Sequence, residues 1–109
     1  MPTINHLFYR HIRYENGKIT SIDDVNRLAI LEYNNTGDEV IIRIVPTLSP
    51  KRAVLYKQDG FTLYYKGEDL DYRFIIECWE DNRTIKRMSV IRIDTGVEIM
   101  YISTHQKTI

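Results

Sequence analysis

Residues 28–45 read LAILEYNNTGDEVIIRIV, and how they are read decides the fold. Two apolar runs rich in Ile and Val flank Asn-Asn-Thr-Gly-Asp, residues that favour turns and, at glycine, accept a positive φ. The pattern predicts a β-hairpin. A three-residue loop at Asn35-Thr36-Gly37, with Gly37 left-handed and a bulge beside it, sets Glu32 opposite Val40, Ile30 opposite Ile42 and Leu28 opposite Ile44. A two-residue loop at Thr36-Gly37 sets Ile30 against Arg43 instead, so the apolar match favours the longer loop.

The same alternation of β-rich runs and turn clusters extends in both directions. Asn16-Gly17 suits a type I′ turn, placing Glu15 opposite Lys18 and Tyr14 opposite Ile19. Asp59-Gly60 read the same way places Gln58 opposite Phe61, Tyr56 opposite Leu63 and Val54 opposite Tyr65, with Val54, Tyr56, Phe61, Leu63 and Tyr65 on one face. A turn over residues 80–83 places Trp79 opposite Thr84 and Glu77 opposite Lys86. Asp94-Thr95-Gly96 as a three-residue loop places Ile93 opposite Val97, Arg92 opposite Glu98 and Ile91 opposite Ile99.

Two stretches interrupt the meander. Ser21 followed by Asp24 outlines a capping box, which predicts a short helical turn near 22–27. Pro46 and Pro50 predict a loop or crossover over 45–52. The result is an all-β chain of about eight or nine strands, at 7–14, 18–22, 28–34, 38–45, 53–58, 61–66, 71–80, 84–93 and 97–103, closed as a small barrel or a two-layer sandwich. The 109 residues suit one domain spanning 1–109.

Composition narrows the function classes. Lys and Arg number 15, as do Asp and Glu, so the formal charge is zero and bulk charge gives no polyanion binder. A single cysteine, Cys78, excludes an intrachain disulfide and suits a reducing compartment. No apolar run approaches the roughly 20 residues of a membrane span, and the N-terminus has no signal-peptide core. A cytoplasmic protein without membrane association is expected.

Candidate chemistry is sparse. His6 and His11 lie five apart on an extended stretch, which points them to opposite faces, and His105 lies in the C-terminal tail. No HxH, CxxC or HExxH spacing is present, so neither a metal nor a cofactor is expected. Cys78 on a central strand reads as a buried structural thiol. RIDTGVEI, residues 92–99, resembles the motif that carries the catalytic aspartate of aspartic proteases, which makes Asp94 a catalytic candidate. The resemblance implies a homodimer in which two carboxylates share a proton. The placement departs from the family pattern, because 13 residues follow Gly96, too few for the flap hairpin and the later apolar segment. A turn is the plainer reading, with no enzymatic activity expected.

Arg10, Arg13, Arg43, Arg73, Arg87 and Arg92 lie within strands, interspersed with eight tyrosines. Arginine and aromatic side chains on a sheet face suit protein interfaces and, less economically here, single-stranded nucleic acid. Glu32, Glu39, Glu77 and Glu98 on the same strands oppose the nucleic-acid reading, Glu77 pairing with Lys86 and Glu98 with Arg92. Arg43, Tyr64, Arg73, Trp79 and Arg87 are the binding candidates. Strand 72–80 is apolar on both sides, with Phe74, Ile76 and Cys78 on one and Ile75 and Trp79 on the other, so a second cover is expected, either a dimer partner or the curvature and long loops of a barrel. The expected function is a non-catalytic interaction module that binds a protein partner or itself. The alternative is a lipocalin-like barrel holding a small apolar ligand in an aromatic-lined cavity, though the Gly-x-Trp signature of lipocalins is absent.

Overall fold

A computed structural model describes residues 3–68, 71–79 and 84–103. Eight strands follow one another along the chain: β1 (Thr3–Glu15), β2 (Lys18–Tyr33), β3 (Glu39–Val45), β4 (Leu48–Asp59), β5 (Thr62–Gly67), β6 (Tyr72–Cys78), β7 (Ile85–Arg92) and β8 (Val97–Ser103). Each pairs antiparallel with the next, and β1 pairs with β8, so the sheet closes as a barrel in meander order. Of the two closures expected, the barrel is the one formed.

Of the two expected interruptions, the helical turn is absent and the proline loop is shorter than expected. Residues 22–27 do not form a helical turn. They continue β2, with Ile22, Asp23, Asp24 and Arg27 facing Ile12, His11, Arg10 and Phe8. A long β1 satisfies the backbone groups that a helical turn would have satisfied locally. The expected separate strands at 18–22 and 28–34 are therefore one, and nine strands become eight. The proline stretch is no crossover either. Val45–Pro46 is a cis bond, Pro46 and Thr47 make the turn, and β4 starts at Leu48. Pro50 sits beside a register shift in the β3–β4 ladder, where a missing N–H disturbs little.

The hairpins test the expected registers. Asn16-Gly17 holds: both residues have positive φ, 53° and 80°, and Glu15 faces Lys18 with Tyr14 facing Ile19. The other turns differ. At residues 59–62 the central pair is Gly60-Phe61, with Asp59 opposite Thr62 and Gln58 opposite Leu63. Gly60, φ 61°, takes the first central position, as a type II′ turn requires. A bulge at Tyr56 then sets Leu55 opposite Tyr65, so Tyr65 is buried while Val54, Tyr56 and Phe61 stay exposed rather than sharing its face.

The hairpin of residues 28–45 turns through four residues, 35–38. Tyr33 faces Val40, Leu31 faces Ile42, Ala29 faces Ile44 and Ile30 faces Arg43. The extra loop residue is held by side chains. Asn34 Oδ1 accepts hydrogen bonds from the backbone N–H groups of Gly37 (2.8 Å) and Glu39 (3.2 Å). Asp38 Oδ1 accepts from Asn34 Nδ2 (2.9 Å) and from the Thr36 hydroxyl. The bonds from Thr36 and Asn34 hold the Asp38 carboxyl below its usual range.

Residues 93–96 also make a four-residue loop, with Arg92 opposite Val97, Ile91 opposite Glu98 and Val90 opposite Ile99. Gly96, φ 71°, donates its N–H to Arg92 O at 2.9 Å. Arg92 pairs with Asp94 (2.8 Å) rather than with the expected Glu98. Trp79 does meet Thr84, donating its N–H to Thr84 O at 2.8 Å. Glu77 faces Arg87 across the ladder and also contacts Lys86 at 3.5 Å. The turn expected at 80–83 and the tail carrying His105 lie outside the described residues.

Inward positions fill most of the barrel. Phe8, Leu31, Ile42, Ile44, Tyr65, Phe74, Ile76, Ile85 and Met88 are fully buried. Burial of each large apolar side chain contributes about 1.5–3 kcal/mol. Eight strands enclose just enough width for such packing, or for one small ligand.

Candidate functional site

Space that side chains do not fill lies at one mouth of the barrel, the end bearing the turns at 16–17, 46–47 and 93–96. It is a cavity of about 330 Å³ lined by His11, Arg13, Thr47, Leu48, Tyr72, Val90, Arg92, Thr95, Val97, Ile99 and Tyr101. Strand periodicity puts them there. Side chains two apart share a face, so β1 contributes His11 and Arg13, β7 contributes Val90 and Arg92, and β8 contributes Val97, Ile99 and Tyr101. Ladder pairing then brings them side by side, His11 opposite Tyr101, Arg13 opposite Ile99 and Arg92 opposite Val97. The β3–β4 turn adds Thr47 and Leu48 from across the mouth.

A bulge in β1 is decisive. The ladder shifts between Phe8 and Arg10, leaving Tyr9 exposed and changing the parity of the strand. His6 and His11 therefore share the inner side instead of pointing to opposite faces. His6 Nε2 lies 2.9 Å from Ser103 Oγ and its ring packs on Phe8, whereas His11 meets Tyr101 edge-on at 6.2 Å. Without the bulge, His11 and Arg13 would face outward.

The charged groups are arranged with a consistent sense. The Asp23 carboxylate accepts a hydrogen bond from His11 Nε2 at 3.2 Å, which orients the imidazole. Arg13 Nε lies 3.6 Å from Glu15, and Arg92 Nη2 donates to Asp94 at 2.8 Å. None of these three carboxylates belongs to the lining. The cavity wall presents His11, Arg13 and Arg92, each in contact with a carboxylate that does not itself line the cavity. Asp94, through its hydrogen bond and its charge, raises the affinity of Arg92 for its proton. Tyr72 stacks on Phe74 at 6.0 Å with Arg92 at 5.6 Å and Lys51 at 5.1 Å from its ring centre. The Tyr101 and Thr47 hydroxyls stand 3.4 Å apart across the mouth. Chemically, this is a polar rim with two arginines above an apolar wall of Leu48, Val90, Val97 and Ile99.

The residues singled out in the sequence lie elsewhere. Tyr64, Arg73, Trp79 and Arg87 alternate with the buried Tyr65, Phe74, Cys78 and Met88, so they sit on the outer wall of β5–β7. Arg43 is on the outer face of β3, between buried Ile42 and Ile44. None of the five lines the cavity. Lys57 Nζ lies 5.0 Å from the Tyr64 ring and Lys86 Nζ 4.9 Å from that of Trp79. Arg73 donates to Tyr72 O at 3.0 Å. Arg87 and Lys86 both meet Glu77, whose carboxyl is held below its usual range chiefly by the hydrogen bond from Arg87. Asp94 is on the mouth's outer edge, held by Arg92. Cys78 is buried, as expected.

Among the described residues, no cluster of His, Cys, Asp and Glu could hold a metal ion, and no helix is long and apolar enough to cross a membrane. No protein-family model, curated protein or solved structure matches the chain.

Proposed function

We propose that the protein is a binding barrel that takes one small molecule at its mouth. The observation that carries this reading is the cavity between Arg13, Arg92, Tyr101 and Ile99. Its volume of about 330 Å³ lies at the small end of the range for ligand pockets. Its make-up, a mostly apolar wall with a few converging polar groups, is that of a small-molecule site. Fully buried side chains such as Phe8, Tyr65, Phe74 and Met88 occupy the barrel interior, so a ligand would be held at the end of the barrel and not swallowed.

The test is a titration with small aromatic fragments followed by methyl NMR. Shifts at Leu48, Val90, Val97 and Ile99, with none at Ile75 on the outer wall, are expected. Val97→Trp, which fills the mouth, should weaken binding roughly tenfold or more, equivalent to about 1.4 kcal/mol. Shifts confined to the outer wall, or unchanged affinity in Val97→Trp, would overturn the reading.

A protein partner is the second reading, favoured by one observation. Leu7, Leu28 and Val45 follow one another across the β1–β2–β3 ladders and remain 40%, 36% and 42% exposed. An apolar row of this kind on an outer wall suits a protein contact, including one with a second copy of the chain. Concentration-dependent sedimentation that Leu28→Lys abolishes would support it, and a monomer at all concentrations would exclude self-association.

A further inference from the structure

We infer that the molecule bound at the mouth is a small organic anion, an oxyanion head on an apolar or aromatic body. This rests on the ligand-binding reading above and adds the chemical class. The chain as a whole is neutral, so two arginines lining one concavity are a local arrangement. His11, Arg13 and Arg92 converge on the cavity from β1 and β7, and among the described residues no acidic side chain lines it. Each touches a carboxylate, Asp23, Glu15 or Asp94, that is not among the lining residues. Each carboxylate engages one nitrogen of its partner. A guanidinium carries five N–H donors in a planar fork, so a single such contact orients the fork and leaves further donors for an incoming oxyanion.

The remaining wall fits the rest of such a molecule. Leu48, Val90, Val97 and Ile99 offer apolar surface, and Tyr72 offers a ring already flanked by Lys51 and Arg92. The Thr47 and Tyr101 hydroxyls, 3.4 Å apart, form only a long hydrogen bond with each other, so either can turn to a ligand oxygen with little lost. A cation is disfavoured by the lining, and a neutral body gains nothing from the two arginines. The shared chemistry is that of a carboxylate or a phosphate monoester.

The test compares naphthalene-2-carboxylate, 2-naphthyl phosphate and the uncharged naphthalene-2-carboxamide by isothermal titration calorimetry, with methyl NMR to locate each. At least one anion should bind at the mouth roughly tenfold or more tighter than the amide, and the better of the two identifies the head group. In the double variant Arg13→Gln/Arg92→Gln that preference should vanish while the amide's affinity is unchanged. Should the variant fold poorly, the native protein answers alone: raising salt should weaken the anion and spare the amide. Amide and anions binding equally at the mouth would overturn the inference and leave the binding barrel standing. A failure of all three to move any mouth resonance would overturn both.

Discussion

At Gly96 two demands meet in one residue. Its φ of 71° is the left-handed conformation that side chains resist, and a Cβ there would lie 3.1 Å from Asn16 Oδ1. Gly60 has the first demand without the second, its Cβ position being open. Both substitutions to alanine should destabilise, Gly60→Ala by about 1–2 kcal/mol for the left-handed backbone and Gly96→Ala by more. Denaturant titration of the two variants checks the order, and equal losses would show that Asn16 gives way freely. These glycines are legible in the sequence because turn residues announce themselves chemically. Asp94 is legible for the same reason and for no other: it is a turn residue that also steadies Arg92. What a single residue does not reveal is loop length. Apolar matching alone puts Gly37 and Gly96 in three-residue loops, but the side-chain bonds of Asn34 and Asp38, and the Gly96 N–H to Arg92 O bond, hold four.

On the scale of the strand, one residue of register decides everything, because a slip by one exchanges inside for outside. Matching apolar pairs selects a register only where one face is polar, and several strands here are apolar on both. Ile30 opposite Ile42 is as good a match as Leu31 opposite Ile42, and only the second places both members in the core. The same slip at 93–96 sets Arg92 against Glu98, a pairing in which nothing marks Arg92 as part of a cavity wall. The bulge at Tyr9 hides His11 and Arg13 in the same way. The candidate site is therefore concealed for a physical reason: its residue types stand out in the sequence, but alternation alone does not say which way they face. The sequence candidates, Tyr64, Trp79 and the arginines of β3, β6 and β7, have the right composition for binding and the outer wall for a location.

Strand pairing also explains the smallest core residues. Val40, Ala53 and Gly67 are adjacent across β3, β4 and β5, all buried, and their size falls along the row. Bulky inward residues such as Phe74 and Tyr65 need that room. Ala53→Leu, which adds carbon where there is no space, should cost about 1–3 kcal/mol by overpacking. A lower thermal midpoint with an unchanged circular dichroism spectrum at low temperature would show it. An unchanged midpoint would mean that the wall yields.

For the whole molecule, the all-β class and the meander order can be read from the spacing of turn clusters, since each hairpin is a local event. Closure cannot, because β1 and β8 meet across nearly the full chain, and no local signal distinguishes a barrel from a sandwich. The molecule also has a chemical polarity along its axis. Opposite the mouth with its two arginines, Tyr33 and Tyr65 hydrogen-bond to each other beside Cys78. Burial is the main cause of their raised pKa values, Tyr65 being pushed up to about 12 and Tyr33 further. The folded chain thus keeps phenolic protons that the unfolded chain starts to release near the ordinary value of 10.0. Stability should be unaffected by these groups below about pH 10 and should fall as pH rises through the interval up to the folded values. In Tyr33→Phe/Tyr65→Phe the alkaline decline should flatten. Stability at neutral pH should change little, because both partners of the bond leave together. Urea titrations at neutral and alkaline pH check both outcomes, and an equally steep decline in the double variant would contradict the assignment.

The tip of the first hairpin is tied to the last, Asn16 donating its N–H to Gly96 O at 3.4 Å. Half of the mouth's rim is thereby braced against itself. In kinetic terms, the site needs no opening step before a ligand enters. Association should then be a single phase whose rate rises in proportion to ligand concentration without saturating, and differences in affinity between ligands should reside in how fast they leave.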